Sequence, residues 1–212
     1  MVPLAMFGSR QLSVALAIAF TSMAAFYGVV FVQSLYFQQQ RGASALLTGL
    51  LFLPMTGLVT IVSSQAASLV ARFGSRALIT TGLLVQCLGL AVIAELPAGA
   101  PVWEVAAAMV PVGVGGALTV PPIASLVIDN APAEGAGTAS GVLNTSRQLG
   151  GSLGVAGVGA VIAGHSAFMD GLRIGLISTV VVLGVTAVLS LTLRAPQHSS
   201  KWKGRQPCRP SR

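Results

Sequence analysis

An all-α integral membrane protein of six transmembrane helices is the fold class this sequence predicts, and three observations predict it. Of 212 residues, 54% are hydrophobic and only 8% charged, against about 25% charged in an average soluble domain. Too little polar surface remains to face water. Six apolar runs of spanning length follow one another, separated by short polar or Pro/Gly turns. The basic residues, finally, fall mostly on the loops that an up-and-down chain places on one side.

The first run covers Leu12 to Tyr36, too long for the apolar core of a cleaved signal peptide. Tyr27, Gln33, Tyr36, Gln38, Gln39 and Gln40 gather toward its outer end. Tyr36 is read either as an interfacial anchor or as part of a polar path, the glutamines Gln38, Gln39 and Gln40 either as a helix end meeting water or, for Gln38 and Gln39, as path residues, and Gln33, lying deeper, as a better path residue. The second run, Ala45 to Val70, carries Pro54, which predicts a kink because proline lacks the N–H of a helical bond. Its Ser63, Ser64 and Gln65 are read as helix-packing residues first, with hydrogen bonds across to neighbouring helices as the second reading.

The third run is Ala77 to Ala94 and the fourth Val105 to Ile128. In the fourth, Gly113, Gly115 and Gly116 look superficially like a phosphate loop, but no strand precedes them. They are expected to let helices approach closely, while Pro121 and Pro122 break or bend the helix near its cytoplasmic end. The sixth run is Leu172 to Leu193.

The fifth run, Gly135 to Gly164, holds the most information. A span needs about 20 mainly apolar residues at about 1.5 Å each, so a helix begun near Ala136 carries Arg147 roughly 15 Å along it, close to the bilayer centre. A central Arg costs about 2.5–3.5 kcal/mol on insertion scales and is expected to face protein or a water-filled cavity. Ser140, Asn144, Arg147, Gln148 and Gly151 form a polar stripe at helical spacing, which the other five helices are expected to shelter. Two readings of Arg147 stand: a side chain satisfied by backbone carbonyls of a neighbouring helix, or a residue with a role in a polar pathway or its gating. Small residues four apart, Gly137/Gly141 and Gly150/Gly154, with Gly151 beside them, predict close packing, with glycine-permitted bending as the secondary reading.

Six spans put both termini on one side. With the termini cytoplasmic, Arg10, Arg72, Arg76 and the six tail residues Arg194, Lys201, Lys203, Arg205, Arg209 and Arg212 lie inside, and only Arg41 and Arg173 outside. The positive-inside rule therefore predicts a multi-pass cell-membrane protein with cytoplasmic ends. The expected organisation is a cytoplasmic lead-in at 1–11, a six-helix domain at 12–194 and an unstructured basic cytoplasmic tail at 195–212. That tail reads as a topology signal or a contact for anionic lipid, so the lipid bilayer is an expected partner and nucleic acid is not. Cys87 and Cys208 make no disulfide framework, and His165 and His198 have no ligand-spaced neighbours, so no metal and no cofactor are expected. All five acidic residues lie in loops or at span ends, and no nucleophile, base and orienting group come together, so an enzyme is not expected.

Three segments carry a family resemblance: PLAMFGSRQ, YFQQQRGASALLTGLLFLP, and PPIASLVIDNAPAEGAGTASGVLNTSRQLGGSLGVA. They resemble the carboxy-terminal half of a major facilitator superfamily transporter, more narrowly the fourteen-helix drug:proton antiporter branch, over about residues 2–194. The resemblance implies export of small hydrophobic or cationic compounds by alternating access, driven by protons, with the substrate between two six-helix halves. It matches Asn144, Arg147 and Gln148 to the family's NTxRQLGG segment, and Gln38 and Gln39 to its YLQQ-like segment, with Phe37 replacing leucine. The loop ARFGSR resembles the LADRxG motif. Arg72, Gly74 and Arg76 remain, but Ala71 stands where an aspartate belongs, which weakens the case for a charge-paired latch. The expectation that follows is a partial transporter needing an amino-terminal half or a second chain. A non-transporting assembly or regulatory subunit, or an inactive fragment, is the alternative.

Overall fold

The computed structural model describes residues 10–130 and 135–193. The tail expected at 195–212 and most of the lead-in lie outside the described residues. Six long helices occur in order: α1 Arg10–Leu35, continued by a π turn at Tyr36–Gln40, α2 Ala45–Phe73, α3 Ser75–Glu95, α4 Val102–Asp129, α5 Ala136–Ala163 and α6 Phe168–Ser190. Each predicted run has become one helix, and the bounds differ by a few residues. Five, all but α5, are long and apolar enough to cross a membrane by length and composition. At 28 residues α5 has the length, but its glycines and polar stripe dilute its apolarity.

Local chemistry explains the helix ends. Ser44 caps α2, its Oγ accepting from the Leu47 N–H at 3.2 Å, which satisfies one of the orphan donors of a first turn. Gly74, at φ +79°, separates α2 from α3 by a single residue in a conformation that L side chains rarely adopt. Pro101 precedes α4 and Glu104 sits in its first turn, where a carboxylate complements the helix dipole.

Of the break or bend expected at Pro121 and Pro122, the break does not occur. The helix runs through Pro111, Pro121 and Pro122 to Asp129, and α2 likewise continues through Pro54. In an apolar surrounding a broken helix would expose several backbone groups, whereas a proline frees few, and helix is the cheaper outcome.

The core runs between the helices as one cluster, with Ile18, Val29, Met55, Ile79, Leu83, Leu90, Met109 and Leu183 fully enclosed. The most extensive pairings are α1 with α5 and α3 with α4, followed by α2 with α4 and α3 with α6. Neighbours in sequence are therefore not always neighbours in the bundle: α2 leans on α4 and barely touches α3. Glycine makes two of these seams. A Cβ on Gly150 or Gly154 would run into the α1 backbone at Phe20 or Ala24, and one on Gly115 would run into α3 at Gly82 and Gln86. Gly113 faces Met55 and Val59 of α2, and Gly116 has only Phe26 nearby, at 3.8 Å.

A buried polar clamp ties α1 to α3. Ser22 Oγ donates to Gln86 Oε1 at 2.9 Å, and Gln86 Nε2 donates back to the Ser22 carbonyl at 3.0 Å. At the other end of α3, Arg173 and the Glu95 carboxylate form a 2.6 Å ion pair, well exposed. The large apolar residues left outside lie chiefly on α2 and α6, including Leu46, Leu53, Ile61, Val181 and Val188. Such a surface suits lipid or a further protein wall.

Candidate functional site

Ser146 anchors the face of α5 that packs on α1, its hydroxyl donating to the Leu16 carbonyl at 2.9 Å. Gly150 and Gly154 continue that face. Because side chains one residue apart on a helix point about 100° away from each other, this packing turns Arg147 toward the space beside α1. There a cavity of about 220 Å³ is lined by Met23, Phe26 and Tyr27 of α1, Val59 and Ser63 of α2, Gly113, Gly116, Ala117 and Val120 of α4, and Arg147. Phe26 and Tyr27 meet edge to face at 5.5 Å, and Gly151 lies beneath the Tyr27 ring, where a Cβ would come within 2.8 Å.

Arg147 is partly buried. Its Nε is fully enclosed, and the guanidinium has no hydrogen-bond or ion-pair partner among the described residues. A neighbouring carbonyl does not satisfy it, so the first of its two readings finds no contact here. The described carboxylates, Glu95, Glu104, Asp129 and Asp170, sit at helix ends. The unpaired cation thus lines an apolar, partly aromatic cavity whose other polar side chains are the hydroxyls of Tyr27 and Ser63.

The rest of the expected shelter is corrected. Ser140, Asn144 and Gln148 are exposed on the six-helix unit, and of the stripe only Arg147 and Gly151 turn inward. The reason is the glycine seam: it fixes which side of α5 meets α1 and leaves the next face uncovered. The two glycine pairs also part company. Gly150 and Gly154 touch α1, whereas Gly137 and Gly141 have open space where a Cβ would stand.

Around the π turn that ends α1, the candidate path residues have different surroundings. Tyr36 is buried and its hydroxyl donates to the Ala98 carbonyl at 3.2 Å. Arg41 reaches the same loop, donating to the carbonyls of Ala98 and Ala100. Gln38 and Gln39 are exposed, and Gln38 donates to Ser34 Oγ at 2.9 Å. Gln33 is 1% exposed and its Nε2 is unpartnered among the described residues. It borders a cavity of about 10 Å³ with Tyr36, Leu96 and Leu172, the scale of one water molecule. Gln33 stands six residues beyond Tyr27, about 9 Å of helix, and does not line the Arg147 cavity. In the α2–α3 turn, Arg72 lies over the Phe73 ring at 5.9 Å, and neither Arg72 nor Arg76 has a carboxylate partner among the described residues.

Sequence reasoning missed the Ser22–Gln86 clamp and the cavity walls Met23, Phe26 and Val59. An amide at the middle of the third apolar run was a signal for the clamp, since a lone polar residue inside a span calls for a partner. The walls carry no such mark.

Comparison with known proteins bears on the same residues. The Major Facilitator Superfamily pattern matches residues 2–155. A methylenomycin A resistance protein of Streptomyces coelicolor is 33% identical over 157 residues, covering 72% of this chain and 33% of that protein. The multidrug resistance protein Stp of Mycobacterium tuberculosis is 34% identical over 168 residues, 77% of this chain and 30% of its own length. The tetracenomycin C resistance and export protein of Streptomyces glaucescens is 31% identical over 163 residues, with 77% and 30% covered. The chain spans about a third of the length of these curated relatives. On the sequence match and the six-helix architecture that carries it, the chain belongs to the Major Facilitator Superfamily.

Proposed function

We propose that this chain forms one six-helix wall of an efflux carrier, with the Arg147 cavity as part of the path for small hydrophobic compounds. The observation that carries the reading is a partly buried guanidinium at mid-helix, its Nε enclosed and without a partner among the described residues, on a face whose neighbours Asn144 and Gln148 are exposed. An unpaired cation deep in a span is costly, and such residues mark ligand or ion pathways. The names of the relatives, which speak of resistance and export, support efflux as the direction.

Alternating access requires a second wall, so transport belongs to the assembly of this chain with a completing half. Proton coupling needs a titratable group in the path. No described carboxylate lines this cavity, so the reading assigns the proton-carrying group to that other half. The cationic part of the expected substrate range draws no support from this wall, since a fixed guanidinium repels a cation. In the cell membrane, the reading places the Arg10 and Arg72 end on the cytoplasmic side.

The test is efflux from proteoliposomes containing this chain assembled with the segment that completes a relative. Substrate should leave against its gradient when a proton gradient is imposed, and Arg147→Leu should abolish efflux while insertion is unchanged. Full efflux by Arg147→Leu removes Arg147 from the path. No efflux from a verified assembly removes the transport reading.

A further inference from the structure

Resting on that reading but testable without transport, we propose that the Arg147 cavity is a subsite for the carboxylate end of an aromatic or apolar compound. Every polar side chain around it can donate: the guanidinium of Arg147, the phenol of Tyr27 and the hydroxyl of Ser63. None of the three has a hydrogen bond among the described residues. No carboxylate or amide lines the space, so a ligand cation would find a repelling charge and no side-chain anion. A ligand carboxylate would find the planar fork that binds it through two parallel N–H···O bonds. The buried Nε of Arg147 strengthens this choice locally, because charge–charge interactions grow where water is excluded.

The remaining walls define the body attached to that carboxylate. Phe26 and Tyr27 supply ring faces and edges, and Met23 supplies a polarizable thioether, a set that suits a flat aromatic ring. At about 220 Å³ the cavity is smaller than the roughly 300 Å³ at which drug-sized pockets begin. It therefore holds one end of a compound, and the remainder extends along the exposed face of α5 past Asn144 and Gln148.

Binding of 2-naphthoate, neutral 2-naphthamide and cationic 2-naphthylmethylammonium to the whole chain in lipid nanodiscs separates the possibilities, because the three share one ring system. The expected order is naphthoate first, at least tenfold tighter than the ammonium, with the amide between. Arg147→Gln should abolish the preference, Arg147→Lys should retain part of it, and Ser63→Ala, at an exposed position, should weaken naphthoate a few-fold. Helical content by circular dichroism shows that each variant is folded, and the Ser63→Ala result carries the test where Arg147→Gln is not. Equal binding of all three probes, or a preference that survives Arg147→Gln, overturns the proposal and leaves the transport reading to its own efflux test.

A protein carboxylate on the completing half has the same chemistry. If the isolated chain binds naphthoate and the completed carrier does not, the guanidinium serves that half, and a carried compound is overturned as its occupant.

Discussion

Two stretches of α5 carry the same glycine spacing and have opposite surroundings. Gly150 and Gly154 are pressed against the α1 backbone, while Gly137 and Gly141, about three and a half turns earlier, face open space. The first pair is part of a seam, and the second belongs to a surface that the six helices leave uncovered. Small residues four apart permit close approach without dictating it. What decides is the side of the helix: Ala139, Leu143, Ser146, Gly150 and Gly154 follow the side of α5 that turns to its neighbours, and Gly137 and Gly141 lie off it. Arg147 lies between the two, one step off the seam, partly buried and without a partner among the described residues.

The comparison breaks most decisively at the seam. Gly154→Ala should lower stability by about 1–3 kcal/mol, since the added methyl meets backbone that cannot rotate away. Gly141→Ala should leave stability unchanged or slightly higher, because helix propensity favours alanine where space is open. Thermal unfolding of the two variants in the same detergent checks both. Equal losses would mean that the seam is not where α5 is held.

A smaller effect is expected at the clamp that holds α1 from its other side. Gln86→Leu removes two hydrogen bonds and leaves Ser22 unpaired, costing about 1–2 kcal/mol. Ser22→Ala with Gln86→Leu should recover part of that loss, with a coupling of about 0.6 kcal/mol, the average for helix pairs in membranes. A double-mutant cycle in unfolding measures it. Additive losses would remove the clamp as a unit.

The smallest effect belongs to the exposed Arg173–Glu95 ion pair. Glu95→Gln breaks a 2.6 Å contact between groups that are more than half exposed, and exposed pairs contribute about 0–1 kcal/mol. The unfolding midpoint should move little and should move less at high salt. A large shift would show that the pair closes the α3–α6 seam.

The sequence by itself determined that the described chain is six helices, five of them apolar enough to span, roughly where each begins and ends, and that Arg147 sits at mid-helix. Those conclusions need only local information, because hydropathy and the rise of a helix act residue by residue. It also supplied the family, through NTSRQLGG and its flanks. Tertiary structure alone decided that Asn144 and Gln148 are uncovered while Arg147 turns in, that Tyr36 bonds to the Ala98 carbonyl, that Gln33 keeps apart from the arginine, and that Gln86 holds Ser22. A helix with apolar residues on nearly every side carries little periodic signal to say which side meets a neighbour. In a membrane, the pairing of helices is set by backbone approach and side-chain fit between distant segments.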